Sequence, residues 1–190
     1  MATSQARERL LAAAMRQAAR EGITDQSLRE IAAAIDTSHR MLLYHFGSRE
    51  GLLIAMSNAI NEAEAGAISR WEDPRQAWEH YSDPRWWPGE RLFLELYVHA
   101  LYGRPGTEGF FDAAVGAWLT ALADQRLAAG EDEATARVQA RLGLAVARGL
   151  LLDLLATGDR DAVAQAYEYY LKIAEARYSP GAATGAEQGG

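Results

Sequence analysis

Apolar residues recur along most of the 190-residue chain at intervals of three and four positions, the spacing that lines one face of an α-helix. No stretch shows the strict alternation of apolar and polar residues that is typical of a strand. The pattern therefore predicts an all-α protein. The predicted helices cover about residues 4–20, 27–35, 38–46, 48–71, 89–103, 107–129, 132–157 and 159–178.

Local signals mark where several of these helices begin and end. Ser27 and Glu30 have the spacing of a capping box, which satisfies two free backbone N–H groups at a helix start. The segment 72–89 contains three prolines and four tryptophans or tyrosines, and it predicts a broken, aromatic connection. The Gly- and Ala-rich segment 179–190 has no periodicity and predicts a disordered tail.

The stretch 37–50, TSHRMLLYHFGSRE, interleaves polar hydrogen-bonding residues with leucines. Three short helices with a tight turn between the second and third are typical of a helix-turn-helix, whose last helix enters the DNA major groove. Such a helix needs one packing face and one recognition face. The residues expected to pack inward are Met41, Leu42 and Phe46. Those expected to face outward are Arg40, Leu43 and Tyr44. An ordinary surface helix of a bundle is the alternative.

Residues 7–53 resemble the DNA-binding domain of the TetR family of one-component transcriptional regulators. The matching positions are Glu21-Gly22, Ser27, Ile31-Ala32, Ser38, His45-Phe46, Ser48-Arg49-Glu50 and Leu52-Leu53. The chain departs from the family pattern at four positions: Asp36 replaces the usual turn glycine, His39 a common lysine, Arg40 a small residue and Leu43 a common tyrosine. Aspartate tolerates left-handed backbone better than most residues, so the turn is expected to persist.

The resemblance implies a set of DNA-binding residues. Phosphate-contacting or positioning roles fall to Ser27, Thr37, Ser38, Tyr44, His45 and Arg49. Arg40 is the best candidate for reading a base, because a guanidinium pairs with guanine O6 and N7 through two hydrogen bonds. His39, Met41 and Leu43 are further candidates for hydrogen bonds to bases or contacts with thymine methyl groups.

The resemblance also implies a domain division. Residues 1–50 form the helix-turn-helix domain, the helix 48–71 connects, and residues 51–178 form a larger bundle for ligand binding and dimerisation. The expected function is that of a repressor, released from a near-palindromic operator by a small molecule. The alternatives are a helical interaction module or ligand sensor that does not bind DNA, and an enzyme of unrecognised type.

Charge and composition narrow the alternatives. The net charge is −7, but residues 1–50 carry +1 and residues 51–190 carry −8, so the repulsion from DNA is concentrated in the second part. The chain has no cysteine, no phosphate-binding glycine loop and no metal-binding histidine motif, and we expect no enzyme activity and no cofactor. It has no apolar stretch of membrane-spanning length and no uninterrupted signal-peptide core, which favours a cytoplasmic protein.

Aromatic residues in the second part suggest a cavity for an apolar or aromatic ligand. The candidate ligand-binding residues are Trp78, Trp86, Phe93, Tyr97, His99 and Trp118. For each of these residues the alternative, which is the commoner one for aromatic residues at helical spacing, is a purely structural role in the core. For His99 the alternative is a buried, hydrogen-bonded histidine. Residues 137–158 are apolar nearly all round and require cover on more than one side. A homodimer through helices 132–157 and 159–178 provides it; a central helix in a monomer is the alternative.

Overall fold

The computed structural model describes residues 2–23, 25–68 and 74–178, and every regular element in these ranges is helical. The first four helices are α1 (Ala2–Glu21), α2 (Leu28–Ala34), α3 (His39–Phe46) and α4 (Arg49–Ile68). They are followed by α5 (Pro74–Ser82), α6 (Trp87–Leu101), a π-helix (Asp112–Ala117), α7 (Trp118–Ala128), α8 (Glu133–Thr157) and α9 (Arg160–Tyr178). The prediction of an all-α fold is confirmed. None of these helices is both long and apolar enough to cross a membrane.

One apolar core joins the N-terminal helices to the rest of the chain. It includes residues of α1 to α4 and continues through α6 to the start of the π-helix. Its members of very low exposure include Ala14, Ile23, Ile31, Leu42, Leu52, Met56, Leu92, Leu96 and Phe110. The core therefore does not stop near residue 50, and α4 and α6 pack directly against the helices that precede them.

The remaining helices form a second bundle, in which α7 packs along α8 while α5 contacts both α8 and α9. Its centre holds Trp78, Leu154, Val163, Tyr167 and Leu171. Arg75 of α5 reaches Glu168 and Glu175 of α9 at 3.0 and 3.3 Å and ties the two helices together at their exposed edge.

The segment 72–89 is interrupted at 83–86, in line with the predicted broken connection, but it also contains the helix α5, which was not predicted. Pro74 stands at the first helical position, where its missing N–H costs nothing, and Trp78 of α5 is buried. The helix predicted from 107 begins later and opens as a π-helix. The predicted end of the fourth helix at Trp71 and the predicted tail 179–190 lie outside the described residues.

Candidate nucleic-acid interface and ligand cavity

The capping box at the start of α2 is present as predicted. The N–H of Glu30 donates to Ser27 Oγ at 3.3 Å, and the N–H of Ser27 donates to the Glu30 carboxylate at 2.7 Å. The Ser27 hydroxyl and then the Ser27 N–H hold the pKa of Glu30 below its ordinary value. The box fixes the start of α2 but uses the hydroxyl of a residue that was predicted to meet phosphate.

The turn between α2 and α3 has the geometry expected of aspartate in place of glycine. Asp36 adopts a positive φ of 54°. The N–H of Thr37 donates to the carbonyl of Ala32 at 2.9 Å, and Ser38 Oγ caps α3 by accepting from the N–H of Met41 at 3.1 Å. These short-range bonds fix the direction in which α3 leaves the turn.

Helix α3 has a buried side and an exposed side. Leu42 and Phe46 are buried against the neighbouring helices. On the opposite side, Tyr44 is 70% exposed and Arg40 is also exposed. Met41 was expected on the packing side, but it is 40% exposed because Leu42 occupies the inward position next to it. His39 is half-buried and Leu43 is exposed, so the exposed side mixes polar and apolar groups.

Two residues predicted to position phosphate have contacts within the protein. Arg49 Nε donates to the carbonyl of Gln26 and its Nη2 to the carbonyl of Ile23, both at 2.8 Å. These bonds tie the segment before α2 to the start of α4. The half-buried His45 ring meets the edge of Tyr44 at 4.9 Å, and its Nε2 is buried. Their contact with phosphate remains a prediction.

Glu95 of α6 was not identified in the sequence analysis, yet it contacts the loop before α2 directly. Its carboxylate accepts the N–H of Ile23, at 2.9 Å to Oε1 and 3.0 Å to Oε2. The two residues lie 72 positions apart, so no local pattern in the sequence indicates the pair. Helix α6 is thereby bonded to the loop from which α2 begins.

A cavity lies between α5, α7, α8 and α9. Two of the predicted ligand-binding residues, Trp78 and Trp118, lie on its wall. Other lining residues include Tyr81, Leu122, Arg126, Gln139, Ala140, Gly143, Leu144, Tyr167 and Tyr170. The cavity volume is about 90 Å³, below the roughly 150 Å³ of an engineered apolar cavity that binds benzene. A ligand with even one aromatic ring must therefore push the helices apart.

Gln139 is the unusual residue of the cavity wall. It is 5% exposed, and neither its Oε1 nor its Nε2 has a hydrogen-bond partner among the residues that the structure describes. Burying a polar group without a partner costs about 1–3 kcal/mol in proteins. In the sequence this residue is one glutamine in a helix of mixed composition, and no motif distinguishes it.

The six predicted ligand-binding residues do not form one site. Phe93 lies in the apolar core that joins α6 to the N-terminal helices, and it also lines a smaller pocket together with Trp118. Tyr97 packs edge-on against Phe111 at 5.1 Å, within the same aromatic cluster. Trp86 is exposed and stacks on the ring of His80. His99 lines a separate open cleft, which Arg49 and Glu50 at the start of α4 also line. Helical periodicity did not distinguish these faces, because each helix here has neighbours on more than one side.

Helix α8 exposes an apolar stripe on the side away from the cavity. It consists of Val138, Leu142, Ala145, Gly149 and Leu152, spaced four and three positions apart. On α9, Tyr169 and Ile173 are also exposed. Val163, Tyr167 and Leu171 of α9 are buried within the chain, so only part of the apolar surface of α9 is open to a second copy.

Comparisons with known proteins agree with this arrangement. Residues 10–56 match the model of the bacterial regulatory proteins, tetR family. A stretch of 87 residues is 32% identical to the HTH-type transcriptional repressor NicS of Pseudomonas putida and covers 40% of this chain. It covers 41% of NicS, so the match spans about two fifths of the length of that relative.

The fold is also similar to that of two crystal structures of the multidrug binding protein EbrR. The complex with imidazole has a TM-score of 0.57 and 24% identity, over 84% of this chain and 86% of that one. The complex with proflavin has a TM-score of 0.57 and 27% identity, over 88% of this chain and 99% of that one. The similarity therefore extends through the second bundle as well as the N-terminal helices.

Proposed function

We propose that the chain, whose residues 10–56 match the model of the bacterial regulatory proteins, tetR family, is a cytoplasmic repressor of that family that a small molecule releases from DNA. The observation that carries the proposal is the two-sided third helix. Leu42 and Phe46 anchor α3 to the core while Arg40 and Tyr44 face outward. A helix held in this way can enter a major groove without exposing its packing residues.

The exposed residues of α3 divide into two proposed roles. Arg40 and its neighbours His39, Met41 and Leu43 meet base edges, because they lie within the first five residues of α3, near the end that enters the groove. Tyr44, Thr37 and the N-terminus of α3 at Ser38 meet phosphates, which set the register of the protein on the duplex. Ser27, His45 and Arg49 support the same surface from the segments beside it.

We propose that two copies pair through α8 and α9. The exposed stripe of α8 repeats at four and three positions, the spacing of a helix seam that faces another helix. Ala145 and Gly149 leave room for close approach at the centre of the stripe, and Tyr169 and Ile173 of α9 extend the apolar surface. A twofold pair presents two copies of α3, which suits a near-palindromic operator with half-sites roughly 34–36 Å apart.

Packed side chains connect α8, which lines the cavity, to the loop before α2. Arg148 of α8 donates to the carbonyl of Ala114 in the π-helix, and its guanidinium lies 5.6 Å from the ring centre of Phe93 and 5.2 Å from that of Tyr97. Both rings belong to α6, which also carries Glu95 and its bond to Ile23. A ligand that spreads the cavity shifts α8 and α6, and it favours a conformer with wrongly spaced recognition helices.

Fluorescence anisotropy of labelled duplexes tests the proposal. The duplexes come from DNA flanking the gene, and a shuffled duplex of equal length serves as the control. We expect the affinity for one flanking duplex to exceed that for the shuffled one and to fall steeply as salt rises, since phosphate contacts release counterions. Equal, weak binding to every duplex would instead support a ligand sensor or interaction module without DNA binding.

A further inference from the structure

We propose that the ligand of the cavity is a neutral, flat aromatic compound whose edge carries a hydrogen-bond donor beside an acceptor, as in a carboxamide or a lactam. Gln139 is the residue that pairs with that edge. The proposal rests on the proposed function only in assigning the cavity to a regulatory ligand. The chemistry itself follows from the residues of the wall.

Gln139 is the polar group of the cavity wall that can recognise the edge of the ligand. Gln139 lines the cavity and is 5% exposed, and both hydrogen-bonding atoms of its side-chain amide are buried without partners among the described residues. An amide offers an N–H donor and a carbonyl acceptor side by side. A carboxamide or lactam edge satisfies both at once through two parallel hydrogen bonds, whereas a lone hydroxyl or carbonyl leaves one atom unpaired.

The aromatic rings of the cavity wall favour a flat ligand. Trp78 and Tyr167 stack with ring centres 5.0 Å apart and planes 23° apart, and Tyr170 continues the wall from Tyr167 at 6.2 Å. The hydroxyl of Tyr170 lies 3.1 Å from the position that a Cβ on Gly143 would occupy. Gly143 follows Gln139 by one helical turn, so its missing side chain makes room for Tyr170 next to the amide.

The charges of the wall favour a neutral ligand. The described lining residues include no aspartate or glutamate, so nothing there neutralises a cation. Their one cationic side chain is that of Arg126, which is paired with Glu131 at 3.4 Å. Bringing an ion into such a surrounding carries an uncompensated desolvation cost, which a neutral carboxamide avoids.

Two small probes of nearly equal shape test the proposal on the free protein, without DNA. Benzamide carries the donor and the acceptor, and acetophenone replaces the amide nitrogen with a methyl group. Binding is measured by calorimetric titration to the wild-type protein, to Gln139→Met, and to Gln5→Leu as a control on the exposed face of α1. Gln139→Met keeps the length of the side chain and removes both hydrogen-bonding atoms, and thermal unfolding confirms that it folds.

We expect the wild-type protein and Gln5→Leu to bind benzamide at least about tenfold more tightly than acetophenone, because acetophenone keeps the acceptor but lacks the donor and leaves Gln139 Oε1 buried without a partner. Gln139→Met is expected to lose this preference while its affinity for acetophenone stays equal or rises. A preference retained in Gln139→Met, no preference in the wild type, or no benzamide binding at all overturns the proposal. None of these outcomes depends on DNA binding, so the failure of this inference and that of the proposed repressor function are separable.

Discussion

The carboxylate of Glu95 accepts the backbone N–H of Ile23 through both of its oxygens, at 2.9 and 3.0 Å. The backbone carbonyl of Ile23 accepts a hydrogen bond from Arg49 Nη2 at 2.8 Å. Ile23 is therefore held from two sides, by α6 and by the start of α4. This residue lies in the loop before α2, so the orientation of the helix-turn-helix depends on the position of α6.

Glu95→Ala is expected to destabilise the protein by about 1–3 kcal/mol, because it leaves the N–H of a fully buried residue without its acceptor. Glu95→Gln keeps one acceptor oxygen, so its free energy of unfolding should fall clearly less than that of Glu95→Ala. Urea unfolding of both variants measures the free energies. An alanine variant as stable as the wild type would show that the bond contributes nothing to holding the loop.

Gly106 lies where the loop after α6 approaches α4. It has a φ of +90°, and a Cβ there would lie 2.9 Å from the carbonyl oxygen of Glu50 and 3.0 Å from the Cβ of Leu53. Gly109 has a φ of +73° and nothing within 4 Å of the same position. Both alanine variants share the backbone cost of about 1–2 kcal/mol. Gly106→Ala should lose about 1–3 kcal/mol more, through the clash with α4.

Thermal or chemical unfolding of the two glycine variants side by side measures this difference. Equal losses at both positions would mean that the loop does not press against α4 in solution.

The proposed pairing predicts that a charge on the α8 stripe separates the subunits. Leu142 is 55% exposed within the stripe, and Leu101 of α6 is 64% exposed outside it. Leu142→Arg should sediment as a monomer, because an unpaired charge in a helix interface is strongly unfavourable. Leu101→Arg should remain a dimer like the wild type. If both variants sediment alike, the α8 stripe is not the interface.

The capping box predicts a pH dependence. The pKa of Glu30 is lowered by the Ser27 hydroxyl and N–H, so the charged form stabilises the fold above the ordinary glutamate pKa. That contribution is lost as pH falls through the lowered value. Ser27→Ala should raise the pKa of Glu30 toward its ordinary value and reduce the stability lost on acidification. Carboxyl chemical shifts followed by NMR provide the test; an unchanged Glu30 titration would contradict it.

The N-terminal helices could be predicted from the sequence because their signals are local. Ser27 and Glu30 are three positions apart, and Asp36 marks the turn by its own backbone preference. Helix α5 was missed because the three prolines of the segment 72–89 suggested a break, although Pro74 occupies the first helical position, which tolerates proline.

The cavity could be predicted only in part. Trp78 and Trp86 look alike in the sequence, yet one is buried at the cavity and the other is exposed, since the packing of α5 on α9 decides between them. The surroundings of Gln139 and the partner of Glu95 come from residues far away in the chain, so no short sequence pattern indicates the role of either residue.

Selection from a pool of random duplexes tests the central assignment, that the exposed side of α3 reads bases. We expect the wild-type protein to enrich a near-palindromic sequence. Arg40→Ala should lose about 1–3 kcal/mol of discrimination at one base pair in each half-site, with its salt dependence retained, since a base contact releases no counterion. Arg91→Ala, an exposed arginine of α6, serves as the control and should select like the wild type. A wild-type protein that enriches no sequence, or an Arg40→Ala variant that discriminates as well as the wild type, would contradict the account.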